Sequence, residues 1–213
     1  MRPLKIAFTM AAADADGICL SQTPAAGGVQ SLTINGALAA AGVATLDVPR
    51  RVSITSAGND SGRTFTVTGT DRYGHTQTEA IAGPNTATVI GTKDFKTVTG
   101  VTIDDDSAGA ITVGSSDEAA TPWIPLDLYR NPVNVSFAVA LSAGASLTYT
   151  VQHTLDNPFD GSAIAALNHA TIAAQTASKD GSYTTPITAI RLLVASFVSG
   201  TATFTVTQSG IGD

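Results

Sequence analysis

Residues with chemical potential are few in this chain and widely separated. His75, His153 and His169 are the only imidazoles, which excludes a histidine-rich metal centre. His153 lies between Gln152 and Thr154 in a strand-like run and is read as a surface residue, on the polar face opposite Tyr149 and Val151. His169 has no carboxylate at a ligand spacing. Asp104-Asp105-Asp106 offers oxygens of the kind a hard cation takes, although a carboxylate run at a strand end ordinarily forms a solvated turn. Asp14-Ala-Asp16-Gly17 begins like a calcium loop but lacks a third ligand and a terminal glutamate. Gly58-Asn-Asp-Ser61-Gly62 superficially resembles a serine-protease nucleophile segment. No base or oxyanion hole accompanies it, and the five residues suit a turn. Glu79 and Glu118 are the only glutamates, a thin basis for a two-carboxylate glycosidase. Cys19, between Ile18 and Leu20, reads as a small buried hydrophobe, and as the only cysteine it excludes an intramolecular disulfide. No catalytic, cofactor-binding or metal residue is assigned, and the chain is not expected to be an enzyme.

The elements that would carry these residues are strands. A strand–turn–strand unit occurs three times: Arg51 to Thr70 around Gly62, Asn134 to Thr154 around Gly144, and Ile190 to Gln208 around Gly200. Each returning strand alternates a large apolar residue with Thr, the period of a half-buried antiparallel strand, and each unit is read as a hairpin. Strands are expected near 29–34, 43–48, 51–56, 64–70, 76–82, 86–91, 95–103 and 110–114. A second set is expected near 126–130, 134–141, 147–154, 187–198 and 202–208. The Ala-rich stretch 160–178 reads as strand or loop. Turn residues between short strands point to an all-β chain of two antiparallel β-sandwich or jelly-roll-like domains. The expected division is an extended N-terminal arm (1–28), a first domain (29–116), a linker (117–125) and a second domain (126–213). Two prolines bracket Trp123 in the linker, and the ring reads as a packing plug between domains.

Composition sharpens this picture. Only 13% of residues are charged, about half the ordinary share, so the surface is suited to association. A net charge of −6 without a Lys/Arg cluster argues against nucleic acid and against an anionic membrane. No run approaches the ~20 apolar residues of a spanning helix. The first residues, with Arg2 and Lys5 ahead of a short apolar stretch, read as a mature N-terminus.

Val52 to Gly114 resembles sequences found in virion proteins of tailed bacteriophages. The marks are the Gly58–Gly62 segment, Phe65-Thr-Val-Thr-Gly-Thr-Asp-Arg-Tyr-Gly74, Gln77-Thr-Glu-Ala-Ile-Ala-Gly-Pro-Asn85, Lys93 to Ile103, and Ala110-Ile-Thr-Val-Gly114. The C-terminal half is similar to another segment of such proteins through Leu147 to Asp156, Pro186 to Leu192, and Gly200 to Gly210. The resemblance implies a non-enzymatic virion component, most simply a capsid decoration protein bound in many copies to the major capsid or other virion proteins. A neck or tail ring component is the alternative within that class. A carbohydrate-binding or hydrolysing β module is the rival outside it. The protein is expected to form homo-oligomers, and the arm is expected to clamp onto neighbouring subunits.

Overall fold

The computed structural model describes residues 3–160 and 164–212, with backbone only for 210–212. Every described regular element is a strand. The chain divides into two units, one of Ala12–Ala119 and one of Met1–Ala11 with Ala120–Asp213. One boundary, at Ala119/Ala120, falls within the expected linker 117–125; the other, at Ala11/Ala12, divides the expected arm 1–28 between the two units. β1 (Leu4–Phe8) pairs antiparallel with the last strand of the chain, whereas β2 (Asp14–Gln22) belongs to the other unit. The short Leu4-Lys-Ile-Ala-Phe8 run is therefore an edge strand, and its alternate residues Leu4, Ile6 and Phe8 lie on the side of buried Val206, Phe204 and Ala202.

The Ala12–Ala119 unit continues with β3 (Gln30–Ser31), β4 (Ala39–Ala40), β5 (Val43–Ser56), β6 (Thr64–Thr70), β7 (Thr76–Ala82), β8 (Thr88–Ile90), β9 (Phe95–Ile103) and β10 (Ile111–Ala120). Its main sheet has the order β10-β5-β9-β6-β7, with β2 on β10, β3 on β9, and β4 and β8 on β5. The runs 43–48 and 51–56 are one strand of 14 residues. Its first part pairs with β9 and β4, and its second with β10 and β8, so it serves two neighbourhoods. The first strand–turn–strand unit is consequently not a hairpin, because β9 lies between β5 and β6. Ile18, Leu46, Ile54, Phe65, Phe95, Ile103 and Ile111 form the centre of one apolar core.

β10 also runs through the polar stretch that reads as a linker. Ser115 and Ser116 are buried because Arg50, only 1% exposed, directs Nε and Nη2 at the Ser116 carbonyl and Nη1 at Asp47. Arg51 pairs with Glu118. Charged groups thus meet partners within the fold, as burial requires.

The other unit adds β11 (Ile124–Pro125), β12 (Arg130–Leu141), β13 (Ser146–Thr154), β14 (Leu167–Asn168), β15 (Lys179–Tyr183), β16 (Ala189–Ser199) and β17 (Ala202–Gly212). One layer is a four-stranded sheet, β1-β17-β12-β15, and the other contains β14-β13-β16 with β11 on β16. The expected strand at 126–130 is a turn up to Tyr129. Of the stretch 160–178, residues 161–163 lie outside those described; β14 is its one short strand, and 169–175 follow β13 through backbone bonds to Tyr149 and Val151.

The second and third strand–turn–strand units are not hairpins either. β12 and β17 lie in the four-stranded layer, while β13 and β16 lie in the other. Each unit crosses from layer to layer, and the two pair with one another strand for strand: β12 with β17, and β13 with β16. At the shared corner the Ser142 N–H donates to the Thr201 carbonyl at 3.0 Å, and the Thr201 N–H donates to Ser142 Oγ at 3.0 Å. Gly200 turns there with φ of 102°, and a Cβ on it would lie 2.5 Å from Ala145 Cβ. Both facts demand glycine.

Gly200→Ala is expected to destabilise this unit by about 2 kcal/mol or more, through strain and clash at the corner. Urea titration followed by fluorescence of Trp123, the only tryptophan, measures it. Deleting residues 1–11 removes β1 and bares the edge of β17. The expected result is a lower thermal midpoint for the same fluorescence signal and a greater tendency to aggregate; an unchanged midpoint would show that β1 contributes nothing.

Candidate functional site

The structure distributes the residues singled out by their chemistry and gives most of them structural partners. Asp105 accepts the Gly28 N–H and faces Arg63 at 3.2 Å, while Asp106 accepts the Gly27 N–H and the Gln30 side chain. The Asp106 N–H and then the Gly28 N–H, both donated to the Asp105 carboxylate, together with the Arg63 charge, hold that carboxyl below its ordinary value. The acidic run therefore ties down the Pro24–Gly28 loop. Asp14 and Asp16 lie in β2 rather than in a loop. Ser61 donates through Oγ to Asn59 Oδ1 at 2.8 Å, and buried Asp60 accepts the Ser56 hydroxyl and the Ala108 N–H. The Gly58–Gly62 segment is thus a connection between two strands that do not pair, held by its own Asx turn.

The two glutamates do not act as a pair. Glu79 accepts from Thr92 N, Thr92 Oγ1 and Lys93 N, which fixes the turn before β9, and Glu118 pairs with Arg51. Cys19 is fully buried, and desolvation pushes its thiol up to about 12. Trp123 is partly exposed, with the Arg191 guanidinium 4.4 Å from its ring centre. Arg191 in turn donates to Gln152, and Gln152 to Asn168, forming a polar chain across β16, β13 and β14. Among the described residues no group of three His, Cys, Asp or Glu side chains could hold a metal ion.

His153 departs most from its expected role. Strand alternation puts positions 149, 151 and 153 on one face, and the register confirms it: Tyr149, Val151 and His153 lie opposite Val194, Leu192 and Ile190. The imidazole therefore points inward, and Nδ1 meets the Tyr183 hydroxyl at 3.0 Å. His169 joins the same cluster, edge-on to Tyr183 at 4.9 Å and to Phe137 at 5.1 Å. Burial pushes the Tyr183 hydroxyl up, while burial and then the neighbouring His169 push the His153 imidazole down. Both shifts favour the uncharged forms, so the Tyr183–His153 hydrogen bond joins a neutral phenol and a neutral imidazole. The alternation from Tyr149 onward was the sequence signal for this placement.

The clearest hollow at the surface lies on the outer face of the four-stranded sheet. It measures about 490 Å³ and is lined mainly by Ser136, Ala138, Ser182, Thr205, Thr207 and Asp180. Its floor is formed where small side chains stand over the backbone. The nearest ring, Phe137, is 3% exposed and faces the core. Hydroxyls and a single carboxylate in an open trough can take a polar surface, but they provide neither a stacking platform nor a carboxylate pair.

No protein-family model matches the chain, and no curated protein matches its sequence.

The His153 placement yields a pH dependence. An imidazole whose folded value lies below its unfolded value of 6.5 contributes its full stability above that value. The contribution is lost as the pH falls below it, because the unfolded state takes the proton first. The denaturation midpoint reported by Trp123 is expected to drop between about pH 7 and pH 5. His153→Gln is expected to be less stable at neutral pH and to show a shallower decline.

Proposed function

We propose that the protein is a non-enzymatic structural component of a tailed-bacteriophage virion, a capsid decoration protein that binds other virion subunits in many copies. The observation that carries this reading is the outer face of the four-stranded sheet, an open surface of Ser, Thr and Ala with almost no charge. Small side chains on a broad sheet let another protein approach closely, and the scarcity of charge reduces the desolvation that contact requires. The resemblance of the Val52–Gly114 and Leu147–Gly210 stretches to phage virion proteins supplies the setting.

A second feature supports assembly. Loops at one end of the β-sandwich expose Leu128, Tyr129, Leu155 and Phe159, with Tyr129 85% exposed. Both loops are tied to Thr188, through the Leu126 N–H onto its carbonyl and its hydroxyl onto the Leu155 carbonyl. Large apolar side chains grouped in this way favour a partner surface over water. A carbohydrate module would need an exposed ring in its cleft, and the trough supplies none.

Imaging of intact particles, with the chain tagged or deleted, tests the reading. Density on the shell lattice that disappears with the deletion is expected. Density confined to one vertex would move the assignment to a neck or tail ring. Absence of the chain from particles would overturn the virion reading.

A further inference from the structure

Two charged side chains, Lys5 on β1 and Asp180 on β15, stand on the outer face of the four-stranded sheet. The register sets them in a single cross-strand row, Lys5–Thr205–Ala138–Asp180. Three inter-strand steps separate them, roughly 14 Å. The neighbouring rows contain only small side chains: Ala7, Thr203 and Ala140 on one side, Thr207, Ser136 and Ser182 on the other. Lys5 and Asp180 are both exposed, and neither has an ion-pair partner among the described residues.

We propose that this face docks a second copy of the chain about a two-fold axis parallel to the strands. Such an axis turns one sheet over onto the other and lays the β1 edge of each copy against the β15 edge of its partner. Lys5 then faces Asp180 of the partner subunit, and the contact is made twice. An axis running across the strands would stack like charges on each other and is disfavoured by repulsion. The rows between the charges offer only Ala methyls and Ser and Thr hydroxyls, so two such sheets can lie face to face in the aligned manner of a β-sandwich. The trough leaves room for bridging water, which its hydroxyls can bind. Up to 12 residues long and four strands wide, the face covers on the order of 500 Å², below the roughly 800 Å² per partner of a standard interface. The pairing is accordingly weak between isolated copies and strengthened where copies are held side by side. It deepens the assembly reading, on which it rests only in taking this face as a contact surface.

Sedimentation equilibrium of the full chain up to millimolar concentration tests the proposal. A monomer–dimer equilibrium that weakens with salt is expected. Lys5→Glu and Asp180→Lys, each checked for folding by circular dichroism, are each expected to weaken dimerisation about tenfold or more. Mixing the two variants is expected to restore it, because both contacts of the mixed dimer again join opposite charges. A monomer at every concentration, a dimer indifferent to both substitutions, or a mixture that fails to recover would each overturn the pairing. These results concern the purified chain alone, whereas the virion reading stands or falls on particle images.

Discussion

The corner at Ser142 and Thr201 is the constraint on which the C-terminal sandwich depends. Two chain segments cross from one layer to the other at the same place, and each satisfies the backbone of its neighbour there. Ser199 pairs with Ser146 on one side of the corner, and Ala202 pairs with Leu141 on the other. Once those pairs are set, strand alternation decides the inward residues of β12 and β17 from Leu141–Ala202 to Asn134–Ser209, whereas β13 and β16 reach their core register through two irregularities, at Ser146/Leu147 and Thr148/Tyr149. Phe137, Phe204 and Val206 in one layer and Tyr149, Val151 and Leu192 in the other are all buried. Slippage of β12 or β17 by a single residue would turn that strand's inward side chains outward. Gly200 is consequently a structural requirement of this corner, where a Cβ would meet Ala145 and Ser142.

The strands themselves were legible in the sequence, because Phe-Thr-Val-Thr and its relatives state directly which residues face inward. The partner of each strand was not. Alternation identifies a face, but it carries no mark of the strand that lies alongside. Short Gly-containing connections were therefore read as hairpins where the chain in fact turns a corner, or where another strand inserts between the two. The strand Leu4–Phe8 was hidden for a related reason: five residues are too few to reveal a strand until Leu4, Ile6 and Phe8 are seen beside Val206, Phe204 and Ala202. That β10 runs on into the expected linker, as far as Ala120, is not visible locally, because its partners Arg50 and Arg51 are distant in sequence. His153 is a different case. Its parity with Tyr149 and Val151 was available from the sequence, and assigning it to the polar face was a misreading of the alternation.

Charge is scarce in this chain, and much of it serves the interior and the loops. Arg50 holds the Ser116 carbonyl, Glu79 fixes a turn, and Asp60, Asp105 and Asp106 anchor backbone N–H groups of loops. Among the described residues no buried side-chain nitrogen or oxygen lacks a hydrogen-bond partner. A polar network satisfied to this degree specifies where loops lie, at the cost of leaving fewer charges to keep the outside apart from other proteins.

A low-charge surface is usually a liability for a β-protein, since sheet edges recruit strands. Here the exposed edges carry countermeasures. Lys93 directs its ammonium at the Thr78 carbonyl of β7, β15 begins Lys-Asp-Gly, and β1 is short and carries Lys5. Edge-to-edge growth is thereby opposed, while the broad outer face of the four-stranded sheet has no comparable guard. Lys5 and Asp180 serve both ends at once: each interrupts an edge, and together they mark opposite ends of one row on the face. In the proposed pairing, protection against indiscriminate strand addition and selection of one face-to-face partner arise from the same two side chains, so that a weakly charged sheet associates without aggregating.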